Sequence, residues 1–114
     1  MSVQAATRGV PVTLHSGATT GNGIAIAIPS SFKNHKIIIS GIGDTVSAGA
    51  VQPEEASSHD YAGVWSPIGG SPISIPLSGA AQVVEEFTGV YQFIRCRIST
   101  TVEGGTITVT YEGS

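Results

Sequence analysis

The stretch from Gly89 to Gly113, GVYQFIRCRISTTVEGGTITVTYEG, constrains this chain more than any other. From Ile94 its residues alternate: Ile94, Cys96 and Ile98 fall on one face, Phe93, Arg95 and Arg97 on the other. Further on, Ile107, Val109 and Tyr111 share a face, and Thr106, Thr108 and Thr110 the opposite one. A period of two rich in β-branched side chains predicts half-buried strands, because successive Cβ atoms point to opposite sides of a sheet. Glu103-Gly104-Gly105 between them offers the positive-φ positions of a short hairpin turn. An antiparallel β protein follows.

Earlier segments carry the same signal more weakly. Val10, Val12 and Leu14 alternate, and Pro11 places the start of that strand at a sheet edge. Asn22-Gly23 is a turn dipeptide, after which Ile24, Ile26 and Ile28 alternate with alanines, so both sides of that strand are expected to be buried. Phe32 sits in a polar connection. Ile37, Ile38, Ile39 and Ile42 predict a central strand, Asp44-Thr45 a turn, and Val46 to Val51 a fourth strand. Gln52 to Ala62, QPEEASSHDYA, is the least regular segment and reads as a loop, although Pro53-Glu54-Glu55 suits one opening helical turn. Val64, Trp65 and Ile68 begin a strand that Pro67 interrupts. Ile73, Ile75 and Leu77 alternate with Ser74 and Pro76 as an edge strand, and Ala81 to Phe87 reads as a strand.

About eight short strands with no helical period predict an all-β fold, a single antiparallel β-sandwich over residues 9–114. Jelly-roll-like and immunoglobulin-like connections both stay open. Residues 1–8, small and polar, read as a flexible N-terminal arm that is disordered or reaches onto a neighbouring subunit.

A chain of 114 residues suits one such domain. Its single cysteine, Cys96, reads as a small buried apolar residue and rules out a disulfide framework. The N-terminus shows no signal peptide, and no apolar run approaches the length of a bilayer crossing, so a soluble product made in the cytoplasm is expected. Charged residues are only 11% of the chain, against the ~25% usual for soluble domains. Little repulsion then opposes contact, and depletion of charge marks interface cores. Either the exterior is simply rich in Ser and Thr, or its faces are covered by other protein; the second reading is preferred. A net charge of −3 with scattered basic residues argues against nucleic acid as a partner.

No catalytic constellation emerges. Gly41-Ile42-Gly43 lacks the third glycine and helix of a phosphate loop. His15, His35 and His59 have no ligand spacing, and no cofactor or metal is implied. His59-Asp60 has no nucleophile turn, and Glu85-Glu86 points its carboxylates to opposite faces. A non-enzymatic protein is expected. Two groups remain as binding candidates. Tyr61 and Trp65 lie around a loop where aromatics stack on a sugar, though a lone Trp more often packs in a core. Tyr91, Phe93, Arg95 and Arg97 share the outward register of their strand and have the composition of a protein interface, unless a further layer of the same chain covers them.

The closing stretch resembles the ends of small β-sandwich virion proteins of tailed bacteriophages. The matching residues are Gly89 and Val90, Tyr91, Phe93 to Arg95, Arg97, Ile98, Gly104-Gly105 and Thr106 to Thr110, roughly the last quarter of the chain. The resemblance implies a homo-oligomeric virion protein without catalytic residues. It points to a capsid decoration (cement) protein, a trimer, bound to other virion proteins such as the major capsid protein. A tail- or fibre-associated component is the nearest alternative, and a carbohydrate-binding module for host recognition is the alternative from another class.

Overall fold

The computed structural model describes residues 4–41, 46–69, 71–75 and 82–114. In chain order the strands are β1 (Val12–Ala18), β2 (Ile26–Ala27), β3 (Asn34–Ser40), β4 (Ala48–Ala56), β5 (Ser66–Pro67), β6 (Ile73–Ser74), β7 (Gln82–Thr88), β8 (Phe93–Glu103) and β9 (Ile107–Gly113). They form two antiparallel sheets, β1-β9-β3-β7 and β2-β8-β4-β5, with β6 also paired to β4. The protein is a β-sandwich.

β5 and β6 behave as two halves of one strand. Ser66 and Pro67 lie opposite Glu55 and Glu54, and Ile73 and Ser74 opposite Val51 and Ala50, so both run antiparallel along the same side of β4. The excursion between them contains Gly69, whose φ of +83° suits glycine. Counted as one, they leave eight strands in orders that match a jelly roll, two interleaved Greek keys. This decides between the two connections left open by the sequence.

That topology corrects the hairpin expected at Glu103-Gly104-Gly105. The turn is present, with Gly104 at φ +83°, but β8 lies in one sheet and β9 in the other. The chain crosses between layers there, and each strand turns its apolar residues toward the space between the sheets. Ile94, Cys96, Ile98 and Val102 face inward from β8, and Ile107, Val109 and Tyr111 from β9. With Ile37 and Ile39 of β3, Val51 of β4, and Val12 and Leu14 of β1, they form one core. Each fully buried Ile or Val contributes about 1.5–3 kcal/mol of transfer free energy.

Several other expectations are corrected. Ile24 is exposed, so β2 is buried only through Ile26 and the following Ile28. The segment expected as a loop after Gln52 is the second half of β4, running to Ala56. Pro53 is tolerated there because its nitrogen faces the interrupted strand: the Ile68 N–H donates to the Pro53 carbonyl, and a residue's N and O share a side. Residues 4–8 lie against the body, where the Ala6 N–H donates to the Ala27 carbonyl, Ala6 is buried, and the Arg8 guanidinium sits 5.3 Å from the Phe32 ring centroid. Ile42, Gly43, Asp44, Thr45, Gly70, Pro76 and Leu77 lie outside the described residues.

The sheets are also tied by a polar contact. Ile94 pairs with Ile26, and the Ile98 N–H donates to the Gly21 carbonyl on the same side of β8. Cys96, between them, therefore aims its carbonyl toward that side, past the end of β2. The ring of His15, buried on β1, fills the gap, and its Nε2–H donates to the Cys96 oxygen at 2.6 Å. Gly23 lets the chain pass beside this ring. Its φ is +69°, and a Cβ there would lie 2.6 Å from the Leu14 carbonyl oxygen and 2.7 Å from His15 Nε2. Gly23→Ala is therefore expected to destabilise the protein by at least about 2 kcal/mol in urea unfolding, combining a left-handed residue with a backbone clash. Gly9→Ala, at φ +71° with nothing within 4 Å, should cost only about 1 kcal/mol. Equal losses at the two positions would show that the clash is absent.

Candidate functional site

On the outer face of the five-stranded sheet β8 presents Phe93, Arg95 and Arg97, the register expected from their alternation with the inward residues. Glu54 of β4 lies directly opposite Arg95. Its carboxylate is almost fully buried, and both oxygens are used: Oε1 accepts from Arg95 Nε and Oε2 from Arg97 Nε, each at 3.0 Å. Taking a carboxylate out of water is costly unless it is paired and hydrogen-bonded, and here two charge-assisted bonds meet that requirement.

The loop after β4 folds back over this face. Trp65 is 2% exposed, yet it stands outside the core between the sheets. Its indole N–H donates to the Tyr61 carbonyl at 2.9 Å, and the Arg95 guanidinium lies 4.3 Å from the ring centroid, a cation–π stack. His59 tilts against Phe93 with centroids 6.0 Å apart. A covering layer from the same chain thus occupies much of the face. Arg95 is left 17% exposed at its side chain and Arg97 41%. At the crest of the loop Tyr61 folds over Gly63, where a Cβ would lie 2.6 Å from Cζ of the tyrosine, and Val64 projects into solvent at 90% exposure.

Tyr91 does not belong to this group. The alternation of β8 begins only at Phe93; before it the chain bends at Gln92, whose carbonyl accepts from the Ile28 N–H. Tyr91 packs instead against the core, edge-on to His35 and Phe87 at 5.1 and 5.8 Å. Burial holds its phenol above the usual range, with the Glu55 charge adding to the effect. In the same cluster His35 Nε2 is 2.8 Å from the Gly89 carbonyl, which can only accept, so that nitrogen carries hydrogen. In the neutral ring Nδ1 then accepts from the Tyr111 hydroxyl at 2.6 Å. His15 and His35 are both engaged structurally. Among the described residues no three His, Cys, Asp or Glu side chains converge as a metal set. Burial pushes the Cys96 thiol well up, with the Glu54 charge adding to it, which leaves the sulfur a protonated, poorly nucleophilic core atom.

Sequence reasoning located Phe93, Arg95 and Arg97 on one face but missed Glu54, which ties the arginines together. The alternation of Gln52, Glu54 and Ala56 carries that signal, and Pro53 obscures it. Neither protein-family models nor curated proteins give a match to this chain. No helix among the described residues is long and apolar enough to cross a membrane.

In a double-mutant cycle by urea unfolding, Glu54→Ala with Arg95→Ala should show a coupling of about 2–3 kcal/mol, and Glu54→Ala with Arg97→Ala about 1 kcal/mol or less, because Arg97 is the better solvated partner. Equal couplings would remove the distinction. Burial pushes the Tyr111 phenol from 10.0 up to about 12. The folded state therefore favours the neutral phenol, so this contribution is complete below pH 10 and is lost as pH rises from 10 through 12. At about pH 11.5 the wild type should have lost about 2 kcal/mol more, relative to pH 9, than Tyr111→Phe has. Parallel alkaline losses in the two proteins would count against it.

Proposed function

We propose that this chain is a non-enzymatic structural protein of a tailed-bacteriophage virion, a capsid decoration (cement) protein that spreads contact across joints between shell subunits. The observation that carries this reading is the character of the surface. Charges are scarce, yet large apolar side chains stand in solvent, with Val64 at 90% and Val90 at 60% exposure. The crest bearing Val64 is pinned from below by Trp65, so it is a shaped projection on a fixed base. A projection already held in one shape loses little entropy on docking, which favours protein contact. The resemblance of residues 89 to 110 to virion proteins supports the same reading.

Jelly-roll connectivity is shared by viral capsid and lectin domains, so the fold alone favours neither a shell role nor sugar binding. The glycan module draws support only from the exposed Tyr61 ring. One face of Trp65 is taken by Arg95 and its N–H by Tyr61, which leaves little platform for a sugar. Quantitative mass spectrometry of purified particles tests the proposal. A fixed integer ratio to the major capsid protein, with the protein retained through gradient purification, is the expected result. Absence from particles would end the reading, and recovery only in detached tails would move it to the tail or fibre alternative.

A further inference from the structure

The outer faces of the two sheets carry complementary charges. On the four-stranded sheet, Lys36 of β3 lies opposite Glu86 of β7 on one side and Glu112 of β9 on the other. These side chains floor a groove of about 540 Å³ that Asn34, Thr88 and Ser114 complete. Glu86 and Glu112 make no ion pair among the described residues, where Glu54 accounts for both salt bridges. With two carboxylates and one ammonium the groove is negative.

On the opposite face of the sandwich stands Arg97. Glu54 holds its Nε, which fixes the plane of the guanidinium. Its two terminal amino groups have no hydrogen-bond partner among the described residues, and the side chain is 41% exposed. A planar, pre-oriented fork of N–H donors matches carboxylate oxygens, and little ordering entropy is left to lose on docking. The other arginines are less free: Arg95 is mostly covered under Trp65, and Arg8 lies on Phe32.

We propose that this protein self-associates head to tail, with the Arg97 fork of one copy pairing with the Glu86 and Glu112 carboxylates that flank Lys36 in the groove of the next. The inference rests on the assembly role above and names the surfaces through which copies would meet. Because donor and groove occupy opposite faces, the contact is heterologous, and it closes into a ring or continues as a filament according to the rotation between copies. On a surface with so few ionised groups, this pair would contribute electrostatic steering between copies.

Sedimentation equilibrium on the full chain tests the contact with two variants, Glu86→Lys/Glu112→Lys, which alters the groove and leaves the fork intact, and Arg97→Gln, which removes the fork together with its bond to Glu54 and leaves the groove intact. Wild type should show a mass above the 11.6 kDa of one chain, falling as NaCl is raised from about 0.05 to 0.5 M. Each variant alone should dissociate at least about tenfold more readily. Mixed in equal amounts they should form a one-to-one heterodimer and nothing larger, since one supplies an intact fork and the other an intact groove. A monomeric wild type, an unchanged mass for the groove variant, or no heterodimer from the mixture would each overturn the proposal. If circular dichroism shows Arg97→Gln unfolded, the groove variant decides the matter by itself. A wild type that is monomeric in solution yet stoichiometric in particles would sink this contact while leaving the decoration role standing.

Discussion

The inner faces of the two sheets must meet, and the chain changes sheet at nearly every connection to bring this about. β8 and β9 show the consequence most directly. Had they paired as a hairpin, Ile94, Cys96 and Ile98 would have lain beside Ile107, Val109 and Tyr111 in one layer. In the jelly roll they face each other across the core instead. Burial of this kind is non-directional and stabilises any arrangement that removes the same area from water. The choice among arrangements falls to directional contacts, and the bond from His15 to the Cys96 carbonyl is one of them. It joins the layers at a point where β2 has ended, and leaving that carbonyl unpaired would cost about 1–3 kcal/mol.

The outer layer raises a different question, because an ion triad is an expensive way to cover a sheet. Apolar residues of similar volume are often as stable as buried ion pairs or more so. What Glu54 adds is geometry. One carboxylate accepting from two guanidinium Nε atoms fixes both arginines: Arg95 as a plate against Trp65, Arg97 as a fork facing out. The same stack seats Trp65, and Trp65 seats the loop that carries Tyr61 and Val64. The shape of that surface therefore depends on a charge that never reaches it.

How much of this could be read from the residues depends on what alternation reports. It reports faces, and so the inward set of β8 and β9 and the outward set of Phe93, Arg95 and Arg97 are legible in the sequence. It says nothing of which strand lies alongside, and the Gly104 turn has the same local chemistry whether the chain pairs with itself or crosses to another sheet. Pro53 hid half of β4 because a proline is read as a break, whereas its missing N–H here points at a strand that is itself interrupted. Tyr91 falls outside that register because the chain bends at Gln92, and no residue type there marks where the period of two begins. The triad was out of reach for a simpler reason: Glu54 and Arg95 are adjacent only through strand pairing, and nothing local to either announces the other.

Charge scarcity takes on a further meaning once the partners are known. Of the chain's five Lys and Arg residues, Arg8 lies on Phe32 and Arg95 is held by Trp65 and Glu54, while Arg97 gives only its Nε to Glu54. The exterior is thus poorer in free cations than composition suggests, and general repulsion offers little resistance to edge-to-edge pairing of sheets. Among the described residues β7 pairs on one side only, in regular register with β3. Glu85 on that edge lies opposite Ile37 and shares its inner side of the sheet, where it stays exposed at the open rim of the sandwich. An inward-pointing charge on an edge strand penalises pairing with another edge, because a second strand there would bury the carboxylate without a partner. At the other edge of that sheet, β1 carries two irregularities in register that spoil its ladder. Both edges of the four-stranded sheet are thus poor templates for a further strand, one through a charge set on its inner side and the other through a broken ladder.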